Sequence, residues 1–286
     1  MRRPGLWAQL AGLRRGAGEP AGLADEDVWV PPGVARVQEQ PYGDHPAQRL
    51  DVYYPQTPGH GGVMVVVHGG GWRRGDKGHA RLVQRKLDHW CARGWVLVAP
   101  NYRMLPDAGP RAQAGDVAQA LAWVQAHAGR WGADGARTVL MGHSAGAHLV
   151  ALLAADPDLA QQHGALPWQA TVAIDTTAYD VVALMQAPHL PLFDHAFGHD
   201  PQAWRLASPL HCLARRGAPP AAPMLLVCSA QRPASCTAAA ALAERVLALG
   251  GRASVLPVAL SHLEINRQLG RDPSYTASVN AFLDDL

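Results

Sequence analysis

The sequence has few charged residues, few cysteines and no long apolar run. Charged residues make up 17% of its 286 residues, and 25 basic against 23 acidic side chains leave a net charge of +2. That balance provides no strong field for binding a nucleic acid backbone or an anionic membrane. Because no run of about 18 apolar residues occurs, the sequence predicts no membrane-spanning helix. The hydrophobic share of 48% excludes a disordered chain, which needs low hydrophobicity and high net charge.

The four cysteines form neither a Cys-x-x-Cys pair nor a cluster with zinc-ligand spacing. We therefore expect buried, reduced thiols, although Cys228 and Cys236 flank one loop and could pair under oxidising conditions. The basic start of the chain lacks the apolar stretch of a signal peptide. These features predict a cytoplasmic protein with an N-terminal arm at 1–27 and a single domain at 28–286.

Strands and helices alternate along that domain. Apolar runs rich in β-branched residues predict strands at 49–55, 63–72, 95–104, 137–142, 170–175, 224–229 and 253–260. Apolar residues at helical spacing predict helices at 111–131, directly after 137–142, at 237–249 and at 275–286. Such alternation is typical of an α/β fold with a mostly parallel sheet and helices on both faces. The segment at about 176–222 is rich in Pro, His and aromatic residues, and it is predicted to be a small cap over the carboxyl edge of the sheet.

A pentapeptide of the form G-x-S-x-G follows the strand predicted at 137–142 and opens a helix. It places Ser144 between Gly142 and Gly146, which is the arrangement of a nucleophile elbow. A tight strand-to-helix turn strains the serine backbone, and the residues two before and two after it must be small. This context favours Ser144 as a nucleophile over a plain glycine-flanked helix start.

A second glycine motif, His68-Gly69-Gly70-Gly71-Trp72, follows the buried strand that begins at 63. Glycines let backbone N–H groups approach a ligand oxygen, as an oxyanion hole requires. We expect Gly70, Gly71 and Ala145, the residue after the nucleophile, to supply these donors. No P-loop or dinucleotide-binding motif occurs, so no phosphate-binding role and no cofactor or metal is predicted.

A serine nucleophile needs a neighbouring base to take its proton. His262 lies directly after the last predicted strand, and this place in the βα order selects it from the 14 histidines. His148 lies one helical turn after Ser144 and is predicted to be structural, whereas His143 is expected to line the pocket.

These motifs resemble those of the α/β-hydrolase superfamily. HGGGW, the NYR-x-x-P run from Asn101 to Pro106, GHSAGAH and SHxxIN are similar to the branch that contains small carboxylesterases, feruloyl-esterase-like proteins and kynurenine formamidases. The likeness runs from about Tyr42 to Leu286. It implies the α/β-hydrolase fold and cleavage of an ester or activated amide through an acyl-enzyme on Ser144.

This chain departs from that family at the acid, the third member of the catalytic triad. Family members usually carry an acid in the loop after the strand at 224–229, but here residues 230–236 contain no carboxylate. Three explanations stay open. The acid has moved to Asp175 at the end of the preceding strand, with Asp180 as second choice; a Ser–His dyad is oriented by Gln231 or Ser235; or activity is largely lost. Glu264 is too close to His262 in sequence to be a convenient partner.

The leading hypothesis is a serine carboxylesterase that takes a small-molecule ester, such as a small or aryl carboxylic ester. An arylformamidase acting on an N-formylkynurenine-type amide would use the same machinery, and a catalytically silent hydrolase-fold binding protein is the alternative from another class. No nucleic acid or membrane partner is predicted, and the oligomeric state is left open. The aromatic and histidine residues expected to form the substrate pocket are Trp72, His143, Tyr102, Tyr179, Phe193 and Phe197.

Overall fold

The computed structural model describes residues 28–57, 59 and 61–286; the arm predicted at 1–27 lies outside the described residues. The strands, in chain order, are β1 (Val34–Pro41), β2 (Arg49–Pro55), β3 (Val63–Val67), β4 (Val96–Pro100), β5 (Thr138–His143), β6 (Ala170–Ile174), β7 (Met224–Ser229) and β8 (Ala253–Val258).

Helices follow most of these strands. They are α1 (Ala80–Trp90), α2 (Pro110–His127), α3 (Ala145–Ala155), α4 (Pro157–Gln162), α5 (Val181–Gln186), α6 (Pro191–Phe197), α7 (Pro201–Leu206), α8 (Pro209–Arg216), α9 (Pro233–Ala248), α10 (Glu264–Arg267) and α11 (Pro273–Asp284). Single 3₁₀ turns at Cys91–Arg93 and Ala128–Trp131 extend α1 and α2, and each ends at a glycine with positive φ.

The strands form one eight-stranded sheet in the order β1-β2-β4-β3-β5-β6-β7-β8. β2 pairs with β1 and β4 in antiparallel fashion, and the remaining neighbours are parallel. The predicted mostly parallel α/β sheet is therefore confirmed. Alternate residues of β3 pack into two separate apolar cores, one on each side of the sheet: Val65 belongs to one and Met64 to the other. Burial on both faces explains why the central strands read as continuous apolar runs.

β1 and α1 are among the elements that were not predicted from the sequence, as are the short helices α4 and α10. β1 is an edge strand with mostly half-buried or exposed side chains, and a bulge between Val37 and Gln40 interrupts its register, so its alternation is weak. α1 buries only one stripe of its surface. The segment predicted as a cap consists of the four short helices α5 to α8, three of which have proline in the first turn.

The cysteine prediction is half wrong. Cys91 and Cys212 are free and buried, as expected, but Cys228 and Cys236 form a disulfide. The disulfide joins the end of β7 to the first turn of α9. The two cysteines are eight positions apart, and the short loop between them folds back so that they meet. Across the described ranges, none of the helices has the length and apolarity needed to cross a bilayer.

Candidate active site

Ser144 lies in the turn between β5 and α3, in a strained backbone conformation. Its φ is 57° and its ψ is −117°, a region that costs a non-glycine residue about 1 to 3 kcal/mol. The turn is tight enough that a Cβ on Gly142 would lie 2.3 Å from the carbonyl oxygen of Gly146, and a Cβ on Gly146 would lie 2.3 Å from that of Val67. Both flanking positions therefore require glycine, and the turn projects the Ser144 side chain from the carboxyl end of the sheet.

His262 follows β8 and reaches across to this turn. Its Nε2 lies 3.0 Å from Ser144 Oγ, within hydrogen-bonding distance. The backbone of His262 is fixed by His143, whose Nε2 donates to the His262 carbonyl oxygen at 2.8 Å. Burial and, to a smaller extent, the charge of nearby His262 lower the pKa of His143 to about 3. His143 is thus a neutral donor at ordinary pH, and its partner is the main chain of the residue predicted as the base.

Asp175 lies directly after β6 and faces the other side of the His262 ring. Its Oδ2 is 2.5 Å from His262 Nδ1, and its side chain is fully buried. The backbone at Asp175 has a φ of 55°, and its N–H donates to the Val227 carbonyl oxygen. Of the three explanations that the sequence left open, the geometry favours a displaced acid, because a carboxylate meets Nδ1 directly.

The carboxylate of Asp175 has three further donors, all from the β7–α9 loop or its borders. Oδ1 accepts from the backbone N–H of Ser229 at 3.0 Å and from Ser235 Oγ at 2.5 Å, and Oδ2 lies 2.5 Å from Arg232 Nη1. Burial alone raises the pKa of Asp175, but the hydrogen bond from His262, the charge of Arg232 and the bonds from Ser235 and Ser229 outweigh it and hold this pKa well below its ordinary value. Asp175 is therefore ionised at neutral pH.

The other polar candidates have different partners. Asp180 caps α5 by accepting from the Ala183 N–H and lies 3.3 Å from His211. Glu264 accepts from the backbone and hydroxyl of Ser261. Gln231 is exposed and donates to the Ala259 carbonyl oxygen. None of these contacts joins any of the three side chains to His262.

The glycine loop after β3 packs directly on the nucleophile turn. A Cβ on Gly69 would lie 3.0 Å from Ser144 Cβ, and one on Gly70 would lie 2.0 Å from the Arg74 carbonyl oxygen. Gly70 and Gly71 have φ values of 119° and 62°, which favour glycine. Among the backbone hydrogen bonds of the described residues, none is donated by the N–H of Gly70 or Gly71. The N–H of Ala145 opens α3, where a helix leaves its first donors unpaired.

Several buried side chains hold this glycine loop in place through hydrogen bonds and ring stacking. Tyr102 donates from its hydroxyl to the His68 carbonyl oxygen at 2.9 Å, and its ring stacks on that of His68 with centroids 4.3 Å apart. Gln113 donates to the Trp72 carbonyl oxygen at 2.8 Å. Burial lowers the pKa of His68 to about 4, so the stack is neutral. Tyr102, expected in the pocket, is thus fully buried beneath the loop.

Three of the other residues expected in the pocket come together. Trp72 packs against Phe197 and Phe193, with ring centroids 4.9 and 5.9 Å apart, so α6 contacts the end of the glycine loop. Trp72 also donates from Nε1 to His148 Nδ1 at 3.2 Å, and His148 Nε2 donates to the Ala207 carbonyl oxygen. Burial lowers the pKa of His148 to about 4, in keeping with one donor and one acceptor nitrogen. Tyr179 is fully buried in the core.

Arg232 and the bonding role of Ser235 were missed by the sequence reasoning. Arg232 Nη1 lies 2.5 Å from Asp175 Oδ2 and 2.7 Å from His262 Nδ1. Its only sequence signal is its place in the loop after β7, where the resembling family carries an acid. Within the described residues, no group of three or more His, Cys, Asp or Glu side chains is arranged to hold a metal ion.

Comparisons with known structures identify the fold. Esterase B from Lactobacillus rhamnosis superposes with a TM-score of 0.72 at 21% identity, covering 98% of this chain and 91% of that one. Thermogutta terrifontis esterase 2, in a form phosphoramylated by tabun, gives a TM-score of 0.67 at 22% identity, over 89% of this chain and 95% of that one. The chain has the α/β-hydrolase fold. At these identities the likeness to solved structures establishes the fold alone.

Several sequence relatives of this chain are esterases by name. The BD-FAE family model matches residues 50–187. Esterase LipC of Mycobacterium tuberculosis is 34% identical over 140 residues, which is 47% of this chain and 33% of LipC. Isoprenylcysteine alpha-carbonyl methylesterase ICME of Arabidopsis thaliana is 35% identical over 111 residues, 38% of this chain and 25% of that protein. The aligned part thus spans a third or less of the length of these relatives.

Proposed function

We propose that this α/β-hydrolase is a serine-dependent carboxylic ester hydrolase. The observation that carries the proposal is the chain of contacts from Ser144 Oγ through His262 to Asp175, with distances of 3.0 Å and 2.5 Å on the two sides of the imidazole. The esterase names of its sequence relatives support the same reaction class.

In the first half of the reaction, Ser144 Oγ attacks the ester carbonyl carbon while its proton passes to His262 Nε2. The carbonyl π electrons move to oxygen, and the N–H groups of Gly70, Gly71 and Ala145 stabilise the resulting oxyanion. When the tetrahedral intermediate collapses, the bond to the alcohol oxygen breaks. His262 returns its proton to that oxygen, which leaves an acyl group on Ser144.

Water completes the cycle. His262 takes a proton from water as the water oxygen attacks the acyl carbon, and the second collapse breaks the bond to Ser144 Oγ, which recovers its proton. Asp175 holds the Nδ1–H tautomer and stabilises the imidazolium formed in both halves. We infer that small or aryl esters are the substrates and that Trp72, Phe193 and Phe197 form the apolar wall beside the oxyanion loop, beneath a cap formed by residues of about 176–222.

The decisive experiment compares Ser144→Ala with Ser278→Ala, an exposed serine on α11, in hydrolysis of p-nitrophenyl butyrate and of N-formylkynurenine. Loss of turnover in Ser144→Ala alone, with a fluorophosphonate adduct mapped to Ser144 in the unmodified protein, supports the proposal. Full turnover in Ser144→Ala refutes it. Faster cleavage of N-formylkynurenine than of any aryl ester would make the protein an arylformamidase. The absence of both turnover and adduct would leave a silent binding protein.

The cytoplasmic location predicted from the sequence stays a prediction. The Cys228–Cys236 disulfide is an observation against it, because the cytosol keeps most thiols reduced. Alkylating the thiols in intact cells before lysis, followed by mass spectrometry of the peptide at 224–245, reports whether the pair is oxidised where the protein resides.

A further inference from the structure

Arg232 places a positive charge within the triad itself. It stands at the start of α9, in the loop where the resembling family carries its acid. Its Nη1 forms the third corner of a triangle with Asp175 Oδ2 and His262 Nδ1, with sides of 2.5, 2.5 and 2.7 Å. A guanidinium has only donors, so it cannot replace a carboxylate in orienting the imidazole.

The hydrogen count at Asp175 determines which atoms carry protons. Oδ1 already accepts from Ser229 and Ser235, so Oδ2 is left for Arg232 and His262. In the tautomer with a proton on Nδ1, both donate to this oxygen, and the contact between Nη1 and Nδ1 is one between two donors. His262 Nε2 then carries no proton and can accept one from Ser144. If Arg232 instead donated to Nδ1, the proton would lie on Nε2 and the base would be lost.

The charges around His262 come from several elements. Asp175 is anionic and Arg232 cationic, whereas buried His143 is neutral. Lys86 on α1 is fully buried, and its charge contributes to the lowered pKa of His143. The carboxylate of Glu264 accepts a hydrogen bond from Ser261. Arg232 is therefore a cation in direct contact with the imidazole. A cation at this distance opposes protonation of the ring, and by sharing Oδ2 it also weakens the pull of Asp175 toward the imidazolium.

We propose that Arg232 is a positioning residue that fixes Asp175 Oδ2 and keeps His262 unprotonated at acidic pH values at which the same triad without the cation would be protonated. The inference rests on the proposed function. Asp175 is the displaced acid, and Arg232 lies in the loop where the resembling family carries that acid. Together the two residues extend the activity of the enzyme to lower pH.

The test is the pH dependence of kcat/KM for p-nitrophenyl butyrate in Arg232→Met, Arg232→Lys and the control Arg252→Met, whose guanidinium pairs with Asp285 on the surface. We expect the acid limb of Arg232→Met to move upward by about one pH unit, a tenfold loss at the acidic end. KM at the plateau should stay constant, because the contacts of Arg232 are with Asp175 and His262. Arg232→Lys should shift less than Arg232→Met, and Arg252→Met should follow the unmodified protein.

Three outcomes would overturn the inference. The acid limb of Arg232→Met coincides with that of the unmodified protein; Arg232→Lys shifts as far as Arg232→Met; or Arg232→Met is faster at every pH, which would mean that Arg232 holds the inactive tautomer. Should the variants not fold, ¹⁵N spectra of His262 in the unmodified protein decide the tautomer: a proton on Nδ1 agrees with the inference and a proton on Nε2 refutes it. If activity requires Ser144 but the acid limb of Arg232→Met does not move, this inference alone is refuted. If Ser144→Ala remains active, the proposed function is refuted as well.

Discussion

Asp175 Oδ2 lies 2.5 Å from His262 Nδ1, although the two residues are 87 positions apart in the chain. The contact exists because β6 and β8 flank β7 in the parallel sheet, so the loops after these strands open at the same edge. The carboxylate thus approaches the imidazole from one strand nearer to the nucleophile than the position used by the resembling family. A displaced acid serves the same electrostatic purpose as long as it meets Nδ1.

Removing the charge of Asp175 should nearly abolish turnover. In Asp175→Asn the amide cannot hold the imidazole tautomer or stabilise the imidazolium, and we expect kcat to fall by about 10⁴. The matched control is Asp180→Asn, which removes a carboxylate charge but keeps a side-chain oxygen that can cap α5, and we expect its kcat to stay close to that of the unmodified protein. Steady-state kinetics on p-nitrophenyl butyrate measures both, and an Asp180 variant slower than the Asp175 variant would contradict the assignment.

The elbow glycine should tolerate no side chain. In Gly146→Ala the added methyl would lie 2.3 Å from the Val67 carbonyl oxygen, a backbone atom that cannot move aside. We expect the free energy of unfolding to fall by about 3 kcal/mol, measured by urea denaturation. Gly129→Ala has open space at its Cβ and should stay within about 1 kcal/mol of the unmodified protein. Equal stability of the two variants would show that the turn is looser than the structure indicates.

Breaking the disulfide should affect the site as well as the fold. Cys228 and Cys236 enclose the loop that carries the donors of Asp175, so the Cys228→Ala/Cys236→Ala double variant loosens three contacts to the acid. For a loop of this length we expect a loss of about 2 to 3 kcal/mol in the free energy of unfolding, accompanied by a lower kcat. The comparison is Cys212→Ala, which removes a buried free thiol. A double variant with unchanged kcat would show that the loop holds its shape without the bond.

Lys86 should make stability depend on pH. Its Nζ donates to the Leu82 carbonyl oxygen and to both oxygens of Asn266, at 2.8 to 3.0 Å, and burial lowers its pKa to about 7. The unfolded chain, in which the pKa returns to about 10.5, binds more protons between these values. Stability should therefore rise with pH above about 7, by up to about 1.4 kcal/mol per pH unit.

The measurement is the free energy of unfolding in urea from about pH 7 to about pH 9, for the unmodified protein and for Lys86→Met. The variant should lose this slope. Lys77→Met should keep it, because hydrogen bonds from Lys77 to Glu39 and Asp51 and the charges of those residues outweigh burial and raise the pKa of Lys77. A slope that persists in Lys86→Met would assign it to another group.

Local sequence was enough for the parts of the site that one turn of chain defines. Gly142 and Gly146 flank Ser144 because the strand-to-helix turn leaves no room for a Cβ at either position. Five consecutive residues of sequence are enough to recognise this requirement. The glycines after β3 were identified for the same reason. The parallel sheet also follows from local patterns, since strands buried on both faces read as apolar runs. β1 was not predicted, because an exposed edge strand with a bulge has no continuous apolar run.

Tertiary structure alone decided what stands around His262. The sequence offered Asp175, Asp180, Gln231 and Ser235 as partners. It placed Asp175 before Asp180, but the order along the chain could not decide among the three explanations, since it does not fix which side chains converge. Packing of the loops after β6, β7 and β8 brings Asp175 to Nδ1, adds Arg232 beside it and joins Cys228 to Cys236. Contacts between segments far apart in sequence depend on the whole sheet, whereas a tight turn depends only on its own residues.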